Sequence, residues 1–444
     1  MKRSLAKTFM KYASLNILGM LAISVYILAD TYYISKAIGP LGLTALNLSI
    51  AIYSFIHGMG LMIGIGGATR FSIAMSEGKT LEGPRIFTMA MKLGLLVSLF
   101  FVMLGMFFVE PLAKGLGADA ETLVMTKTYL STILIFSPLF ILNNMLIAFV
   151  RNDQNPKGAM KAMVMGSLSN ILLDYLFMFP LGLGMCGAAI ATSAAPLISM
   201  MVLYPHFKQR GTKLFLPKVS LAVSSVKDFF SLGMSALVVE VSSGVVLLTF
   251  NLLILGLEGN DGVAAYGIVA NLALVAIAIF TGLSQGVQPL FSRYHGEGND
   301  VYLEKSKNLG LITALSLGLL LYGVVGFFAG SLVDIFNSQG NAHIATMAER
   351  GLRVYFLGLI LTGVNILLST LASATERVKE GFFLSMARGI FVILPLVFVG
   401  AKLFGMDGVW MSFGLTELLV LGATSFFFLR RKEDRRKAWR KGNI

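Results

Sequence analysis

Apolar residues in this chain fall into long runs, with the charged residues gathered between them. Twelve runs stand out, at roughly 12–34, 44–68, 89–109, 125–150, 162–181, 186–207, 229–256, 263–290, 309–330, 350–374, 386–403 and 408–429. A helix needs about 20 apolar residues to cross a bilayer. The pattern therefore predicts an all-α polytopic membrane protein of twelve transmembrane helices, with short connections and no soluble domain.

The chain also repeats itself. Gly184-Met185-Cys186-Gly187 returns as Gly405-Met406-Asp407-Gly408, and Asn144 as Asn365, a shift of 221; Gly39, Gly42 and Ala45 return as Gly259, Gly262 and Ala265, and Glu77-Gly78 as Glu297-Gly298, a shift of 220. No 20–50-residue unit recurs, so the pattern is a duplication of the whole and not a solenoid. The expected parts are an N-terminal six-helix lobe (1–207), an interlobe linker (208–227) with five basic residues and Pro217, a C-terminal six-helix lobe (228–430) and a basic tail (431–444). Six spans per copy is an even number, so both copies keep one orientation. Two such bundles are expected to be related by a pseudo-two-fold along the membrane normal, with a cleft between them that opens to either side by rocking.

Composition agrees. Hydrophobic residues make up 56% of the chain and charged residues 13%, against roughly 25% charged in soluble domains. The stretch Met1–Lys11 and the apolar run after it have the outline of a signal peptide. That run is too long for a signal core and no small-x-small cleavage site follows, so it reads as a retained first span. The net charge of +13 does not point to nucleic acid. With the N-terminus inside, the inner segments hold 30 of the 36 Lys and Arg, and only Lys36, Lys114, Lys127, Arg350, Arg353 and Lys402 lie outside. By the positive-inside rule both termini are cytoplasmic, and the tail is an anchor on anionic lipid. A single cysteine, Cys186, allows no intramolecular disulfide. The four histidines lack ligand spacing. Gly58, Gly60, Gly64, Gly66 and Gly67 sit within a span and read as helix packing rather than phosphate binding. Some of the 24 methionines would suit an adaptable pocket.

Charge inside a span is costly, roughly 2.5–3.5 kcal/mol for a central Asp on insertion scales, and it marks ion or proton paths. Three acids stand out: Asp30 in span one, Asp174 in span five and Glu240 in span seven, where Ser242 and Ser243 offer local partners. Asp30 lies six residues before Lys36 and Asp174 eight before Gly182. Both therefore sit about 9–12 Å below the outer ends of their helices, in one half of the chain. Asn170 is one turn from Asp174 on the same helix face. Two acids close together in a low-dielectric site do not both stay ionised at low cost. A proton or Na⁺ then competes with a cationic substrate for the same charge, which is a sufficient basis for antiport.

At these residues the chain resembles the MATE (multidrug and toxic compound extrusion) family, within a wider group that includes lipid-oligosaccharide flippases. The resemblance rests on Ala29-Asp30-Thr31 with the Gly39-Pro40-Leu41-Gly42-Leu43 loop, on NNMLIAFVRNDQNPKGAM and on SNILLDYLFMFPLGLGMCGAAIATS. In the second half it rests on GLSQGVQPLFSRYHGEG and RGIFVILPLVFVGAKLFGMDGVW. It implies a cation-coupling site at Asp30, Asn170, Asp174 and Thr192, with Na⁺ or H⁺ at the first three. Glu240 matches the span-seven acid of NorM-like members, but Asn365 stands where those members carry a second acid, which favours coupling in the first half. Tyr33, Asn144 and Gln285 join Glu240 and Asn365 as candidates for substrate binding or a secondary cation site. The implied activity is secondary antiport: export of amphiphilic, often cationic organic compounds against inward H⁺ or Na⁺ across the cytoplasmic membrane, by a functional monomer with no cofactor beyond the coupling ion. A flippase of a lipid-linked saccharide is the rival, and it needs basic residues facing the cleft. An enzyme or an ATP-driven pump lacks its constellation or its Walker A sequence.

Overall fold

The computed structural model describes residues 2–336 and 341–440, and side-chain surroundings over 5–336 and 341–425. The side chains of the basic tail lie outside the described residues. All regular structure among the described residues is helical. In chain order the elements are α1 (Lys2–Ala37), α2 (Pro40–Ser76), α3 (Glu82–Phe107), a short α4 (Val109–Gly115), α5 (Leu123–Ile135), α6 (Ser137–Asn152), α7 (Pro156–Met178) and α8 (Gly184–Phe207). They continue as α9 (Val223–Gly296), α10 (Asp300–Phe327), a short α11 (Ala329–Phe336), α12 (Ala342–Ala374), α13 (Val378–Met386), a π-helical turn (Ala387–Phe391) and α14 (Ile393–Arg440).

Prolines and glycines set the boundaries. Pro40 opens α2, Pro138 the first turn of α6 and Pro156 that of α7, where a missing N–H costs nothing. The Asn155 side chain caps α7 by accepting from the Gly158 N–H at 2.8 Å. α5 and α6 bend by 50° and together form one span. α9 and the continuous run of α13, the π-helical turn and α14 each contain a non-helical glycine, Gly259 (φ 64°, ψ −151°) and Gly405 (φ 58°, ψ −134°), and so each holds two spans back to back. α7, made polar by Lys157, Lys161, Asn170 and Asp174, is the least apolar span. With these breaks counted, the twelve spans expected from the sequence are all present.

The duplication is written into the backbone as well. Gly39 and Gly259 have positive φ 220 residues apart, and Gly184 and Gly405 do so 221 apart. Among the described residues, the two non-glycine positions with positive φ, Gln154 and Glu376, follow spans four and ten. The short helices α4 and α11 recur as well, starting at 109 and 329.

The chain forms two compact units. The first holds Met1–Gly244, Ala278–Gly310 and Thr370–Phe382; the second holds Val245–Ile277, Leu311–Ser369 and Phe383–Ile444. The first unit therefore gathers parts of spans seven, eight and ten onto the six spans of the first half. Its core includes Phe71, Phe87, Phe149, Met145 and Phe229, with Phe149 edge-on to both Phe71 and Phe87. Glycines let the backbones meet there. A Cβ on Gly282 would lie 2.7 Å from the Ile17 Cα, and one on Gly286 2.7 Å from the Tyr12 carbonyl oxygen. In the second unit Tyr355 stacks on Phe413 with centroids 4.1 Å apart, beside the fully buried Trp410.

Candidate functional site

α1 packs along α7, and α7 along α8. Depth then decides which side chains meet. Asp30 comes from the C-terminal part of α1, Asn170 and Asp174 from consecutive turns of α7, and Thr192 from the third turn of α8. All four are buried; Asn170 and Asp174 are fully inaccessible. Asp30 and Asp174 are near enough for their carboxyls to interact directly. One oxygen of Asp30, both of Asp174, both polar atoms of Asn170 and the Thr192 hydroxyl are buried with no protein partner. Burying polar atoms without a partner costs roughly 1–3 kcal/mol each, and more for charged ones. Such a cluster of oxygens suits a hard cation or a shared proton.

Beside the acids, these helices together with α2 and α6 line a small cavity of about 60 Å³, with Tyr26, Asn144, Ser167, Asn170, Thr192 and Pro196 among its walls. Asn144 hangs its amide on the His57 carbonyl at 3.4 Å. Near the C-terminal end of α1, Tyr33 packs edge-on against Phe179 and tilted against Tyr175.

The other candidates go elsewhere. Glu240 lies in the first unit, with an oxygen 3.2 Å from the His57 Nδ1 but out of line for a hydrogen bond. The serines do not satisfy its carboxylate: Ser243 bonds the Glu240 carbonyl and Ser242 the Val239 carbonyl. Gln285 sits well away from the acids, in a buried amide network. There the Arg151 guanidinium donates to Asn16 at 2.7 Å and to Gln285 at 3.5 Å. Asn16 donates to the Gly282 carbonyl at 2.8 Å, Asn152 to Gln288 at 3.1 Å, and Gln288 to Thr69 at 2.8 Å. This network stitches α1, α2 and α6 to the last turns of α9. Asn365 is in the second unit, where it donates 2.6 Å to Glu417.

Sequence reading places nearly all basic residues at the inner surface and singles out three acids. The structure adds buried charges to both. Arg151 is only 2% exposed and Glu417 only 1%. The Arg388 guanidinium grips the Glu417 carboxylate with Nε at 3.0 Å from both oxygens and a terminal nitrogen at 2.7 Å. Glu417 carried the same signal as Asp30, an acid inside an apolar run.

Comparison with known proteins fits this architecture. The family model described as MatE matches residues 16–176 and 236–399, two segments whose starts lie 220 apart, like the internal repeat. The chain belongs to the MatE family. It is thus a multi-span membrane transporter of the multidrug and toxic compound extrusion class. Among curated relatives, the multidrug export protein MepA of Staphylococcus saprophyticus is 26% identical over 433 residues, covering 97% of this chain and 95% of that protein. MepA of Staphylococcus aureus strain MRSA252 is 25% identical, with the same coverage. Among solved structures, an outward-facing multidrug resistance MATE transporter superposes with a TM-score of 0.91 at 20% identity, over 98% of this chain and 97% of that one. The Vibrio cholerae MATE transporter VcmN gives 0.88 at 20% identity, over 97% and 98%. At these identities the structures speak for the fold of this MatE-family chain.

Proposed function

We propose that this chain is a secondary antiporter that exports amphiphilic, often cationic organic compounds in exchange for H⁺ or Na⁺ by alternating access. The observation that carries the reading is the set of unpartnered buried oxygens on Asp30, Asn170, Asp174 and Thr192. Such a set holds its negative charge at acceptable cost only when a proton or cation joins it, so ion occupancy and stability of this site are linked. The export activity named for the MepA relatives, which match along nearly the whole chain, supports the substrate class. The cavity beside Asn170 and Thr192, with Tyr26, Tyr53 and Asn144 in its walls, presents the aromatic surface and amide groups that an amphiphile would meet as the site opens.

The amide network around Arg151, with the glycine contacts of Gly282 and Gly286, is the closed inner gate. It joins segments from the two halves of the chain near the ends that the positive-inside pattern assigns to the cytoplasm. Its opening would expose the site inward. The location is the cytoplasmic membrane with both termini inside, and the unit of function is the single chain.

The test is transport in proteoliposomes with pH and Na⁺ gradients imposed separately. Substrate flux that follows one gradient is expected, and flux that ignores both would overturn the antiport reading.

A further inference from the structure

The duplication assigns every residue of the first-half site a counterpart. At the shift of 220 that relates Gly39 to Gly259, Asp30 corresponds to Phe250; at 221, Asn170, Asp174 and Thr192 correspond to Phe391, Pro395 and Phe413. The second copy has thus replaced the whole cation-site layer with apolar side chains, and Phe250 is fully buried. The next layer inward is different. Asn144, Ser167 and Pro196, which line the first-half cavity, correspond at 221 to Asn365, Arg388 and Glu417. Where the first copy has a cavity, the second has a guanidinium bound to a carboxylate and an amide.

We propose that Glu417 and Asn365 form a latent monovalent-cation site in the second unit, and that Arg388 occupies it as a resident cation. Three observations carry this. The Glu417 carboxylate is almost fully buried and accepts from Arg388 through both oxygens and from Asn365 through one. The Asn365 carbonyl oxygen is buried with no protein hydrogen bond, and a flip of the amide, whose nitrogen now faces Glu417, would bring that unused oxygen to the carboxylate. Arg388 reaches the pair from the π-helical turn Ala387–Phe391, a local irregularity of the kind that re-aims side chains at functional sites. Without the guanidinium, two carboxylate oxygens and an amide oxygen would remain in a buried place, a hard-cation donor set. With it, the charge is already balanced. The second half then needs no ion, and coupling falls to the first. This consequence rests on the first-half reading above, while the masked site itself does not.

A merely structural ion pair would leave cation binding unchanged when broken, so binding is the readout. The full chain, purified in detergent, is titrated with Na⁺ at constant ionic strength against choline, in an Asp30→Asn, Asp174→Asn background that silences the first-half acids. Adding Arg388→Met is expected to create Na⁺ binding of one further ion per chain, and adding Glu417→Gln to that variant to abolish it. A folded Arg388→Met chain with no gain overturns the proposal, as does Na⁺ binding lost on Glu417→Gln while Arg388 is intact. Where Arg388→Met is too unstable for titration, its melting temperature is read in both salts. A rise specific to Na⁺ supports the proposal, and an equal loss in Na⁺ and choline overturns it. Na⁺ binding that persists in the background alone would count against the first-half reading and leave the increment from Arg388→Met as a separate result.

Discussion

At the scale of single residues, Asp174 buries both carboxylate oxygens and Asp30 one of its own without a protein donor. Asparagine keeps their shape and removes the charge. Asp30→Asn and Asp174→Asn are therefore expected to insert and fold while losing ion-driven export. A ligand of this charge-assisted kind contributes about 1.5–3 kcal/mol, hence roughly 10–100-fold in ion affinity. Wild-type efflux by both variants at wild-type membrane levels would reduce these acids to structural residues. The proximity of the two acids was legible in the sequence, because residue counts from the helix ends give depth directly. The Arg388–Glu417 pair was not. Its members are 29 residues apart, and Arg388 stands at the edge of an apolar run close to Arg377 and Lys379, where it passes for a loop residue. Arg151 was hidden in the same way, next to Asn152 and Asp153.

At the scale of elements, glycine acts in two ways that the same letter conceals. Gly259 and Gly405 would meet no atom within 4 Å if given a Cβ, yet their φ is positive and their ψ values place them in a region open essentially to glycine alone. Alanine at either is expected to destabilise by about 1–3 kcal/mol through conformation alone, read as a lower melting temperature in detergent. An unchanged melt would mean that the span junction relaxes freely. Gly282 has an ordinary backbone but no room. Leucine there would drive α9 away from Ile17 and loosen the seal around Asn16 and Arg151. In a Cys186→Ser chain, a cysteine at the buried Ser284 is expected to react slowly with a thiol reagent, and faster once Gly282→Leu is added. Equal rates would show that this contact does not hold the gate. Apolar run lengths revealed the spans, but not that two junctions keep helical hydrogen bonding on both sides of a single glycine. Nor did they show that the last turns of α9 pack onto the first half, since that contact depends on which glycines face which backbone.

At the scale of the molecule, the repeat makes two halves alike in backbone and unlike in charge. The first keeps two carboxylates and an amide around unpartnered oxygens. The second has Phe250, Phe391, Pro395 and Phe413 in those places, and its deeply buried acid, Glu417, is held by Arg388. Glu240 belongs to span seven by sequence, but it sits in the first unit beside His57, with an exposure of 29%. A partly solvated carboxylate is better placed to meet a passing cation than to trap a coupling ion, because solvent weakens its hold on either. Glu240→Gln is therefore expected to weaken binding of cationic substrates more than it weakens coupling. The measurement is ion-driven efflux of a zwitterionic substrate by Glu240→Gln and Asp30→Asn side by side in proteoliposomes. Glu240→Gln should retain most of the gradient-driven flux of the zwitterion and lose affinity for a cationic compound, while Asp30→Asn should lose the gradient-driven flux of both. If Glu240→Gln uncouples transport and Asp30→Asn does not, the coupling ion is handled at span seven, and the asymmetry argued from the two copies is the wrong way round.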